Sequence, residues 1–131
     1  MTRIAKGTFA VEMTAQGAPS VVDGVSTTRL SLAKRFDGDF QGAGEGEMLA
    51  VRTPVAGSAG YVAVERVTGT LDGCDGSFVL QHSGTMDRGA HALAIAVVPD
   101  SGTGGLTGIT GTFKIDIVDG KHSYAFSYSL P

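Results

Sequence analysis

No tryptophan occurs in the 131 residues, cysteine occurs once, and no run of apolar residues is long. Each scarcity closes a door. A lone cysteine, Cys74, rules out an intrachain disulfide, so the chain is not a disulfide-stapled exported domain. The opening MTRIAKGTFAVEM has neither an apolar h-region nor a cleavage signal, and a cytoplasmic location is expected. No apolar run approaches the ~18 residues that a membrane-crossing helix needs. Ten basic residues against thirteen acidic ones leave a net charge of −3, without blocks of one sign. Neither nucleic acid nor an anionic membrane is expected as a partner, because neither would be attracted electrostatically. A sustained 3.6-residue apolar period is also missing, which leaves strands as the regular structure.

Glycine is what the chain has in excess: 20 of 131 residues, about twice the usual share. Glycine weakens helices but serves the turns, bulges and bends of a curved sheet. The hydrophobic fraction of 42% suffices for one core, and residues 1–131 read as a single all-β domain.

Alternation and turn residues predict eight strands. They run from about Ile4 to Ala15, Ser26 to Phe36, Gln41 to Thr53, twice within Tyr61 to Met86, then Ala90 to Val98, Leu106 to Val118 and Lys121 to Leu130. Gly17, Pro19 and Asp23-Gly24 form a loop after the first strand, and Ser101 to Gly105 forms a bent connection. Across the Asp119-Gly120 turn, Gly111, Phe113, Ile115 and Ile117 share a face with His122, Tyr124, Phe126 and Tyr128. Eight strands in up-and-down order with short turns close best into an antiparallel barrel, since closure removes exposed edges. A β-sandwich with Greek-key crossovers is the alternative. In the third strand, pairing across a tight Asp37-Gly38 turn turns Glu47 inward with Glu45, Leu49 and Val51.

The most informative stretch is the hairpin from Tyr61 to Met86. With Asp72 to Gly76 as the turn and Asp72 facing Asp75, one face carries Tyr61, Ala63, Glu65, Val67, Phe78, Leu80, His82 and Met86. Glu65 and His82 are the only ionisable side chains capable of charge at neutral pH on this otherwise apolar face. In this register they lie opposite one another, with Cβ atoms about 5 Å apart. A buried ionisable pair needs a structural or functional reason.

The ordered motifs GEGEML at Gly44–Leu49, GYVAVER at Gly60–Arg66, GSFVLQH at Gly76–His82, VPDSGTG at Val98–Gly104 and GITG at Gly108–Gly111 resemble a bacterial family, DUF3224. The resemblance spans nearly the whole chain. It implies an allene oxide cyclase-like eight-stranded barrel, similar to plant cyclases and dirigent proteins, which guide reactive intermediates in apolar cavities without a cofactor. It supplies no reaction and no catalytic residues.

The residues then support three expectations. The first is a barrel that binds a small apolar or amphipathic molecule. Its wall would come from Phe9, Met13, Tyr61, Phe78, Leu80, Met86, Phe113, Tyr124 and Phe126, with Glu47 where the third strand turns inward. The second is a cofactor-independent isomerase or cyclase with Glu65 and His82 as the acid–base pair. The third is a filled barrel with a structural or assembly role, in which that pair only pins the hairpin. His91 and His122 could join His82 and Glu65 around a metal, but no HxH or HExxH spacing supports it, and neither metal nor cofactor is expected. There is no Walker lysine after the Ser101–Gly105 glycines and no GxSxG elbow. Strand six, with Ala92, Ala94 and Ala96 opposite Leu93, Ile95 and Val97, is apolar on both faces, so a homo-oligomer is expected.

Overall fold

In the computed structural model, which describes residues 2–131, the chain forms a closed antiparallel barrel of eight long strands with one short strand added. The strands are β1 (Arg3–Ala15), β2 (Ser20–Val22), β3 (Val25–Gly38), β4 (Phe40–Arg52), β5 (Ala59–Leu71), β6 (Cys74–Asp87), β7 (Ala90–Val97), β8 (Thr110–Val118) and β9 (Lys121–Ser129). Neighbours run β1-β9-β8-β7-β6-β5-β4-β3, and β1 pairs back onto β3 to close the ring. The sandwich alternative is excluded. The predicted loop after β1 contains β2, which pairs with β3 across Asp23-Gly24.

Three local expectations are corrected. The β5–β6 turn is the two-residue Asp72-Gly73, both with positive φ (51° and 78°), as a type I′ turn requires. Leu71 therefore pairs with Cys74, and Glu65 lies opposite Leu80 while His82 lies opposite Ala63. The shift is two residues, so every side chain keeps its face. Cys74 begins β6, half-buried against the core, rather than sitting on the turn tip.

The β3–β4 connection is not a tight Asp37-Gly38 hairpin. Phe36 pairs with Gly42, so the turn centres on Asp39 and β4 reverses its expected orientation. Asp39 is taken over by β1: its amide donates to the Lys6 carbonyl at 3.0 Å, and its Oδ2 accepts from the Lys6 amide at 2.8 Å. Residues Phe40, Gly44 and Met48 face inward, and Glu47 faces outward. Finally, β8 begins at Thr110 rather than at Leu106, which closes a single 3-10 turn, Gly104–Leu106.

The two ends of the barrel differ. At the lower end, Phe40, Phe78 and Phe126 are fully buried among Leu71, Phe36, Phe113, Tyr124 and Tyr128. Ring centroids lie 4.2 Å apart for Phe113–Phe126 and 5.6 Å for Phe78–Phe126, within stacking range. The β7–β8 connection folds beneath them and contributes buried Leu106 and Ile109. At the upper end the inward row thins out. Met13, Leu93 and Ile117 are exposed, and β7 meets β8 only at Ile95–Phe113 and Ala96–Thr112.

Candidate functional site

Between the packed lower half and the open upper half sits a charged cluster. Glu65 on β5 is fully buried, and its Oε1 accepts two hydrogen bonds, from His82 Nε2 at 2.9 Å and from Lys34 Nζ at 3.0 Å. His82 on β6 is 3% exposed. The Lys34 side chain on β3 is nearly as buried, and its ammonium lies 5.1 Å from the Phe9 ring centre, a cation–π contact. The odd face of β5 and the even faces of β3 and β6 converge inside the barrel, which brings these three groups together.

Gly44 makes room for this cluster. It pairs with Lys34 on one side and Val67 on the other, and a Cβ there would collide with Glu65 Oε2. Oε2 is the one sealed side-chain polar atom among the described residues that lacks a hydrogen-bond partner. Burial pushes the Glu65 carboxyl up, but the His82 hydrogen bond and the charge and hydrogen bond of Lys34 outweigh it. The carboxyl is held below its ordinary range. Glu65 is therefore a carboxylate acceptor rather than a proton donor.

Above the cluster, a cavity of about 310 Å³ opens at the rim of β4–β7, lined by Met48, Ala50, Tyr61, Met86, His91 and Leu93 among others. Gly84 belongs to the same lining, and the Tyr61 ring occupies the space where a side chain at that position would stand. Tyr61 links cavity to cluster, with its ring 6.3 Å from the imidazole, centre to centre. Burial, and then the Glu65 charge, push its hydroxyl up, so it stays protonated.

The residues named from sequence fall into three groups. Glu65 and His82 meet as expected in kind, diagonally rather than face to face. Tyr61 and Met86 line the cavity. Phe78, Leu80, Phe113, Tyr124 and Phe126 fill the barrel, and Phe9 packs on Phe36 and His122. The Tyr124 hydroxyl is spent on the β3–β4 turn: it accepts from the Phe40 amide at 3.0 Å and lies 3.0 Å from the Asp37 carbonyl. Met13 and Glu47 are corrections. Met13 is 56% exposed near the rim, and Glu47 stands on the outer surface paired with Arg29. His91 is exposed and His122 half-buried, and no group of three or more His, Cys, Asp or Glu side chains placed to hold a metal occurs among the described residues.

Lys34 is the residue that sequence reasoning missed. Its signal was available: it occupies an even position between Leu32 and Phe36, on the face that Thr28 and Leu30 also share.

The model of the family described as protein of unknown function (DUF3224) matches residues 5–128. The chain belongs to this family. A solved structure of a DUF3224 protein with unknown function from Shewanella oneidensis MR-1 is 45% identical to it. That structure superposes with a TM-score of 0.95, covering 100% of this chain and 98% of the other. No curated protein matches the chain.

Proposed function

We propose that this DUF3224 barrel binds a small, largely apolar molecule in the cavity at its upper rim. The reading is carried by one contrast: the lower half is filled with aromatic rings, while the upper half holds a cavity of about 310 Å³ walled by Met48, Tyr61, Met86 and Leu93. That volume lies at the small end of ligand pockets, which are typically apolar with a few placed polar groups. A cytoplasmic setting belongs to the same reading, supported by the free thiol of Cys74. The test is a fluorescence titration with an uncharged naphthalene probe. Wild type is expected to bind it, and Leu93→Arg, which puts a charge into the wall, to weaken binding at least tenfold with an unchanged circular dichroism spectrum. Equal binding by both proteins, or none by wild type, would refute the reading.

The 2.9 Å bond between His82 and Glu65 also favours a second reading, a cofactor-independent isomerase or cyclase. In it Glu65 orients the imidazole and His82 moves the proton. Loss of turnover with retained ligand binding in His82→Asn would support it, and unchanged turnover would refute it.

We further propose a homo-oligomer built on the outer face of β4–β7. Leu49, Val62 and Val64 are about half exposed there, and Ala92, Ala94 and Ala96 continue the surface across β7. The adjoining Arg29 and Glu47 already neutralise each other, so the face suits an equally uncharged one, and a second copy supplies it.

A further inference from the structure

The wall of the upper cavity changes character at its mouth. Strand pairing across β4–β7 sets Arg52, Ala59, Met86 and His91 on one rung, the last before the loops of that end. The rung below it holds Tyr61 and Leu93. Arg52 has the same parity in β4 as inward-facing Phe40, Gly44 and Met48, so it stands on the lumen face of its strand. It borders the cavity of about 310 Å³ together with Met86 and His91. An apolar chamber thus has a guanidinium at its rim.

That guanidinium has no countercharge within the chain. Among the described residues the ion pairs are made by Arg3, Arg29, Lys34, His82 and Arg88, and Arg52 makes none. No aspartate or glutamate among the described residues borders the cavity. The nearby carboxylates are engaged elsewhere. Glu47 pairs with Arg29 on the outer surface, Glu65 is buried with Lys34 and His82, and Asp87 lies 3.8 Å from Arg88. An arginine does not lose its proton in a protein, so the positive charge at the mouth is permanent.

We infer that the cavity takes an apolar monocarboxylate, with its body against Tyr61, Met86 and Leu93 and its carboxylate on the Arg52 guanidinium at the mouth. The inference rests on the binding proposed above and names its ligand class. The planar fork of a guanidinium matches a carboxylate through two parallel hydrogen bonds. One cation suits one negative charge. A phosphate dianion would bring a second, uncompensated charge against an apolar wall, and an ammonium would meet a like charge. Met48 and Met86 give the chamber an adaptable wall whose thioethers favour contact with an aromatic ring, so an acid built on a single ring fits it well.

Two compounds of nearly the same shape separate the possibilities: 4-butylbenzoate carries the charge, and its neutral amide, 4-butylbenzamide, does not. Without a cation at the mouth the carboxylate would bind more weakly, because it loses more on leaving water. Calorimetric titration of wild type is expected to show the benzoate binding about fivefold tighter or more, the scale of one solvent-exposed ion pair. Its affinity should fall with added salt while that of the amide stays constant. Arg52→Gln, on the exposed rim, is expected to keep the wild-type circular dichroism spectrum and the affinity for the amide but to lose the preference. Arg88→Gln removes a charge of the same sign outside the cavity wall and should leave the preference unchanged. Equal affinities in wild type, a preference that survives Arg52→Gln, or one lost equally in Arg88→Gln would overturn the assignment, while binding of the amide would leave the cavity reading intact. Binding of neither compound removes both.

Discussion

Lys34 and His82 donate to the same oxygen of Glu65, from β3 and β6, at 3.0 and 2.9 Å. One buried atom thus ties together three strands of the barrel wall, two of which are not neighbours in the sheet. The cost of burying the charges is offset only while both donors remain in place.

Removing the cation should therefore cost more than an ordinary core substitution. Lys34→Met leaves a buried carboxylate without its countercharge and is expected to lose about 3–5 kcal/mol, read from urea denaturation midpoints. Adding Glu65→Gln to Lys34→Met removes that charge and should recover a large part of the loss. Purely additive effects would show that the two side chains do not interact.

The acid side of the stability curve should carry the signature of Glu65. Its folded carboxyl is held below the ordinary range, so the folded state binds fewer protons than the unfolded one there. This contribution is complete above the ordinary carboxylate range and is lost as pH falls through the lowered folded value. Melting temperatures between pH 7 and pH 3 should drop more steeply for wild type than for Glu65→Gln. Parallel curves would contradict the assignment.

Tyr124 provides a test far from the cluster. Its hydroxyl receives the Phe40 amide at the turn where β3 passes into β4. Tyr124→Phe leaves that buried amide without a partner, at an expected cost of about 1–3 kcal/mol. Hydrogen exchange at the Phe40 amide should accelerate in the same variant.

The proposed oligomer is open to a direct measurement. Wild type should sediment as more than a monomer at micromolar concentration. Ala94→Arg, which places a charge in the middle of the outer face of β7, should sediment as a folded monomer. A monomeric wild type, or an assembly indifferent to the arginine, would count against this face.

Much of this barrel is legible in the sequence. Glycine-marked turns and period-2 alternation mark out the eight long strands, and closure favours a barrel over a sandwich because it removes the edges of a long meander; the pairing of β1 with β3 decides it. Alternation also places Glu65 and His82 inside. Parity is insensitive to a two-residue difference in register, so the two-residue Asp72-Gly73 turn leaves Glu65 and His82 on the face that a turn spanning Asp72 to Gly76 predicts. Glu47 shows the opposite case. The Asp39-centred turn differs by an odd number of residues from the tight hairpin that its sequence suggests, and an odd difference inverts a whole strand.

What the sequence determined by itself was thus the eight long strands and the face on which most of their side chains lie. These depend on neighbours along the chain and on local turn conformation. Only the tertiary structure decided that Lys34 completes the Glu65–His82 pair, that β1 and Tyr124 take over the β3–β4 turn, and that aromatic rings fill one half while a cavity opens in the other. Those features depend on curvature, which brings strands distant in sequence to face one another across the barrel. No periodicity along a single strand records that distance.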